Sequence, residues 1–127
     1  MAKYKALHVM IRVFDLEKSI DFYREALGFH ESRRTDKPEG KFTLVFLKSE
    51  EDDFEVELTY NYDPEKPYDV GTGYGHLAVE VEDLMASYEE HKRKGFEVGP
   101  LKGLGDTKDY YFLTDPDGYK IEVIRRK

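Results

Sequence analysis

Cysteine is absent from the 127 residues. That excludes disulfides, a thiolate nucleophile and sulfur-ligated zinc, and leaves any metal to nitrogen and oxygen donors. No apolar run approaches the roughly 18–20 residues that a membrane-crossing helix needs. The opening MAKYKALHVMIRVF also lacks the apolar core and small-residue cleavage site of a secretion signal. Positive charge is in deficit, with 20 Lys and Arg against 27 Asp and Glu, a net of −7. Such a surface repels phosphate backbones and anionic headgroups, so neither nucleic acid nor a membrane is an expected partner. The expectation is a soluble, cytoplasmic protein of one domain, 1–127, since a chain of this size holds one good core but not two independent domains.

What is present is a repeat. Leu7 to Phe14 alternates apolar Leu7, Val9, Ile11 and Val13 with His8, Met10, Arg12 and Phe14, a strand with one buried face. A helix follows, with Asp15 as N-cap, Leu16, Ile20, Tyr23, Ala26 and Leu27 at helical spacing, and Gly28 as the stop. Strands are expected near 29–35, 42–48 and 54–62. The second half repeats the order: a strand at 75–82, a helix from Asp83-Leu84 to about Gly95, and strands near 96–99, 109–114 and 119–125. His8, Asp15, Leu16 and Ser19 reappear 68 positions later as His76, Asp83, Leu84 and Ser87, while Glu-Val-Glu-Leu at 55–58 matches Lys-Ile-Glu-Val at 120–123. The fold class is therefore α+β, two tandem βαβββ modules at 1–62 and 75–127 joined by a Pro- and Gly-containing linker, 63–74. Half-domains of this size cannot each bury an adequate core, so they should pack together or across a dimer. The G-x-G-x-G at 71–75 enters a strand rather than a helix, so it reads as a hinge and not as a phosphate cradle.

Side chains alternate across a strand, which assigns faces from neighbours alone. His8, Glu57, His76 and Glu122 each sit opposite flanking apolar residues, at repeat-equivalent positions in four strands. Two imidazoles and two carboxylates form a hard-to-borderline set suited to Ni, Co, Zn, Fe or Mn, with coordination positions left open. Taken singly, a strand histidine is more often a packing residue and an outer-face glutamate is usually just solvated. The paired recurrence is what sets these four apart. Arg12 shares the face of His8, about 13 Å along the strand, and Asn61 stands in the same relation to Glu57. A guanidinium and an amide so placed could grip a carboxylate or peptide group, though an ordinary surface ion pair explains Arg12 equally well. His30 and His91 read as ordinary surface residues.

At this point the pattern resembles the vicinal-oxygen-chelate (glyoxalase–bleomycin resistance) superfamily, and within it the bacterial glyoxalase I (lactoylglutathione lyase) family. LHVMIRVFDLEKSIDFYREALGF, VELTYN, YGHLAVEVEDL and DPDGYKIEVI carry the likeness over nearly the whole chain, whereas GLGDTKDYY at 103–111 departs from it. The resemblance implies that His8, Glu57, His76 and Glu122 bind one divalent metal per site, nickel or cobalt ahead of zinc because the chain lacks the long insertions of the zinc type. It implies that Glu122, with Glu57, moves the proton. Arg12 and Asn61 match positions that bind glutathione, and Lys108 matches a basic residue near its glycyl end. The implied reaction is isomerisation of the methylglyoxal–glutathione hemithioacetal to S-lactoylglutathione through an enediolate, in a homodimer. Two alternatives share the fold: a methylmalonyl-CoA epimerase, and a metal-free drug-binding or resistance protein.

Overall fold

The computed structural model describes residues 2–103 and 108–127, and the chain divides into two compact units, Met1–Tyr68 and Asp69–Lys127. The division falls within the 63–74 stretch. In the first unit the order is β1 (His8–Arg12), α1 (Leu16–Leu27), β2 (His30–Lys37), a short 3₁₀ turn (Pro38–Gly40), β3 (Phe42–Lys48) and β4 (Glu55–Asn61). The second runs β5 (His76–Val81), α2 (Leu84–Arg93), β6 (Glu97–Val98), β7 (Tyr110–Thr114) and β8 (Lys120–Arg125).

Each unit forms a four-stranded sheet of the same topology, β1-β4-β3-β2 and β5-β8-β7-β6. The first and last strands of each unit pair in parallel, β1 with β4 and β5 with β8, and the remaining pairs are antiparallel. This is the tandem βαβββ fold expected from the repeat. A parallel pair needs a long crossover, which the helix and intervening strands supply.

Local chemistry sets the element ends. Asp15 accepts a hydrogen bond from the Lys18 N–H at 3.1 Å, and Asp83 repeats this with Ala86 at 3.0 Å, so each helix begins on an aspartate cap at the repeat-equivalent place. Gly28 closes α1 at φ 70°, its N–H reaching the Arg24 carbonyl. In the Asp115–Gly118 turn, Asp115 Oδ1 accepts from the Asp117 and Tyr119 N–H groups at 2.9 Å each, and Gly118 takes φ 96°. That turn delivers the chain into β8, which carries Glu122.

The core of the first unit gathers Ile11, Val13, Ile20, Tyr23, Val45, Leu47, Val56 and Leu58; that of the second gathers Leu84, Tyr111, Leu113, Ile121 and Val123. One expectation fails here. The apolar row of β1 is buried only from Ile11 onward: Leu7 is 62% and Val9 36% exposed, with Tyr4 exposed beside them in sequence. β1 is an edge strand, and nothing in the described residues covers the start of its apolar row. In the corresponding strand β5, Leu77 and Val79 are half-buried.

Replacing Gly28 with Ala forces a Cβ into left-handed backbone and should cost about 1 kcal/mol of stability. No atom lies within 4 Å of that Cβ, so the loss is conformational, and Gly28→Asn should cost less. Urea denaturation of both variants checks the order.

Candidate metal centre

In a parallel pair, a residue and the one diagonal to it on the neighbouring strand can share a face. Met10 is the register partner of Glu57, and His8 lies one step back on the same face. The result is a contact of 3.1 Å between His8 Nε2 and Glu57 Oε1. The second unit repeats it: Ala78 partners Glu122, and His76 Nε2 lies 3.2 Å from Glu122 Oε1. Both histidines are partly open, with side-chain exposures of 37% and 41%, while their glutamates are more enclosed at 12% and 19%.

An aromatic ring completes each pair. Phe46, register partner of Glu57, meets His8 edge-on with centroids 5.5 Å apart; Phe112, partner of Glu122, meets His76 at 5.3 Å. These rings limit rotation of the imidazoles and supply an apolar wall beside the carboxylates. The four expected ligands thus stand as two His–Glu pairs, one in each unit, and no group of three or more His, Asp or Glu side chains suited to one ion occurs among the described residues.

The surroundings of the pairs differ. Thr59 Oγ1 lies 3.5 Å from Glu57 Oε2, a long hydrogen bond. The residue two beyond Glu122 is Ile124, which offers no hydroxyl, and among the described residues Glu122 has no polar partner other than His76. Beside His8, Glu55 accepts from Arg33 and from Ser32 Oγ, and these hydrogen bonds, Arg33's first, hold its carboxyl below the usual range. Beside His76, the register partner is Lys120, whose ammonium donates to Thr114 Oγ1 at 2.7 Å.

The expected substrate groups lie at strand ends. Arg12, exposed, closes β1, and Asn61 closes β4 with its Nδ2 donating to Tyr68 Oη at 3.1 Å. Lys108 is exposed, and its backbone carbonyl accepts from Arg125 Nη2 at 2.6 Å. Residues 104–107 of the divergent 103–111 stretch lie outside the described residues.

Sequence reasoning misplaced His91. Rather than facing solvent it is 5% exposed, with Nδ1 2.7 Å from Tyr111 Oη, which also meets Ser87 Oγ at 2.6 Å. The charged neighbours Glu89, Glu90, Lys92 and Arg93 concealed it, because a short helix with a narrow apolar stripe can bury one polar residue among many charges. His30 is half-buried at the start of β2, with Nδ1 3.3 Å from Glu50 Oε1. Sequence reasoning also passed over Arg33, Ser32 and Glu55.

The model of the Glyoxalase/Bleomycin resistance protein/Dioxygenase superfamily matches residues 5–123, and the chain belongs to that superfamily. Among its relatives are lactoylglutathione lyases. That of Neisseria meningitidis serogroup A is 49% identical over 97% of this chain and 91% of its own length, and that of Haemophilus influenzae 46% identical over 95% and 92%. Among solved structures, the trypanothione-dependent glyoxalase I of Leishmania major superposes with a TM-score of 0.85 at 37% identity, covering 97% of this chain and 87% of that one. No helix of the described residues is long and apolar enough to cross a membrane.

The buried Tyr111 hydroxyl joins two partners, so Tyr111→Phe should cost about 1–3 kcal/mol by removing its hydrogen bonds to His91 Nδ1 and Ser87 Oγ. Thermal denaturation measures the loss, and metal binding by the folded variant should be unchanged.

Proposed function

We propose that this chain is a lactoylglutathione lyase, isomerising the hemithioacetal of methylglyoxal and glutathione to S-lactoylglutathione in the cytoplasm. The observation that carries the site assignment is the recurrence of one imidazole–carboxylate contact, at 3.1 and 3.2 Å, in both units. Near-full-length identity to lactoylglutathione lyases supports the substrate class.

The donors suit a divalent ion. Two partly open imidazoles and two enclosed carboxylates, walled by Phe46 and Phe112, make a nitrogen–oxygen set for nickel or cobalt, with zinc as a weaker third. Each pair alone is half of such a set. The open start of the β1 apolar row, at Leu7 and Val9, is the kind of surface that a second copy covers. We therefore place the complete site at a homodimer interface, where His8 and Glu57 of one chain meet His76 and Glu122 of its partner.

When bound, the metal supplies Lewis acidity that makes the substrate's carbon-bound proton removable. The residues of the chain do the rest. The carbon bearing sulfur loses a proton to a carboxylate, the neighbouring carbonyl carbon gains one, and the hydroxyl proton passes between the two oxygens, so no redox partner is needed. Glu122 is the better base: it lacks the hydroxyl that Thr59 offers Glu57, and is the freer of the two to swing towards carbon. Glu57, tied more closely, faces the substrate from the other side. Arg12 and Asn61 grip the carboxylate and peptide groups of the thiol, and Lys108 reaches its glycyl end.

Glu122→Gln keeps an oxygen donor but cannot accept the proton. Turnover of methylglyoxal plus glutathione should drop by about 10²–10⁴-fold, with bound nickel largely retained. Normal turnover in this variant would remove Glu122 from the role.

A further inference from the structure

His8 has a carboxylate neighbour closer in register than its expected ligand partner. Across the β1–β4 pair, His8 stands directly opposite Glu55, while Glu57 is one step along. Neighbouring strands lie about 5 Å apart. Glu55 and Glu57 also alternate onto the same face, so a second carboxylate lies on the face of His8 and Glu57 without being placed to share an ion with them.

The structure ties that carboxylate down. Arg33 Nη2 donates to Glu55 Oε1 at 3.1 Å, Arg33 Nε lies 3.5 Å from Oε2, and Ser32 Oγ donates to Oε2 at 2.5 Å. Arg33 is itself fixed: its guanidinium carbon sits 3.6 Å from the centre of the Phe46 ring, the same ring that meets His8 edge-on. The clamp depends on a fault in β2. Adjacent strand residues normally face opposite ways, but the register slips between Glu31 and Arg33. This bulge lets both Ser32 and Arg33 reach Glu55. In the second unit, the residue directly opposite His76 is Lys120, which cannot ligate a metal as a cation and is held on Thr114. By two different means, each half thus presents a single carboxylate.

We propose that Arg33, with Ser32, is a positioning residue that holds Glu55 out of the metal's coordination sphere and so preserves an open position for substrate. The inference rests on His8 and Glu57 being metal ligands, as proposed above. Substrate chelation needs vacant positions, and an additional carboxylate would fill one while adding negative charge.

The test compares cobalt-loaded wild type, Arg33→Ala, and the double variant Arg33→Ala/Glu55→Gln. The Arg33 side chain is 57% exposed, so the fold should tolerate its loss. In Arg33→Ala the freed Glu55 should change the visible absorption of bound cobalt, hold the ion at least as tightly, and lower turnover about tenfold. Glu55→Gln in the same chain should restore the wild-type spectrum and most of the turnover. As a control, Arg34→Ala breaks an ion pair of β2 with Glu31 and should leave the spectrum unchanged. An unaltered spectrum in Arg33→Ala, or a defect that Glu55→Gln does not relieve, overturns the inference while leaving the lyase assignment standing. A wild-type chain that takes up no cobalt overturns both.

Discussion

The site proposed for this protein depends on one constraint: parallel pairing of the first and last strands of a βαβββ unit sets an imidazole against a carboxylate. The helix and two strands between them serve as the crossover that parallel pairing demands. Once β1 lies beside β4, the register fixes His8 against Glu57, and the same register in β5 and β8 fixes His76 against Glu122. A shift of a single residue in either pair would turn the glutamate into the core and put an apolar side chain in its place. The buried rows of Ile11, Val56 and Leu58 in one unit, and Ile121 and Val123 in the other, resist that shift. Core packing and site geometry are therefore one property of these strands.

Around the repeated pair, the two units have diverged. Thr59 beside Glu57 has Ile124 as its counterpart, Glu55 has Lys120, and at the strand ends Arg12 and Asn61 correspond to Glu80 and Arg126, which form an ion pair at 3.0 Å. In the first unit the Asn61 amide turns to Tyr68, whereas in the second the corresponding Glu80 and Arg126 close on each other. Duplication supplies the two imidazole–carboxylate pairs in equal number, and their surroundings differ: Thr59 lies beside Glu57, while Glu122 has only His76 as a polar partner among the described residues.

Much of this was legible in the sequence because the signals were periodic or repeated. Alternation placed every strand to within a residue or two, aspartate caps and Gly28 marked the helix ends, and the recurrence of His8 and Glu57 as His76 and Glu122 identified the pairs. The failures share a cause. Whether an apolar row is covered depends on what lies beyond an edge strand, so Leu7 and Val9 read as core yet stand exposed. His91 is buried because of where α2 sits on its sheet, which charged neighbours in sequence do not reveal. The bulge at Ser32 breaks the two-residue period, so alternation gave no reason to join Arg33 and Ser32 to Glu55.

The central claim is that a pair from each unit, drawn from two chains, closes on a single ion. Mixing a chain carrying His8→Ala and Glu57→Ala with one carrying His76→Ala and Glu122→Ala, and counting bound nickel, tests it directly. Each variant alone should be free of nickel, whereas the mixed dimer should regain one intact site, about one ion per heterodimer. Nickel retained by either variant alone, or a mixture that stays empty, would contradict the account.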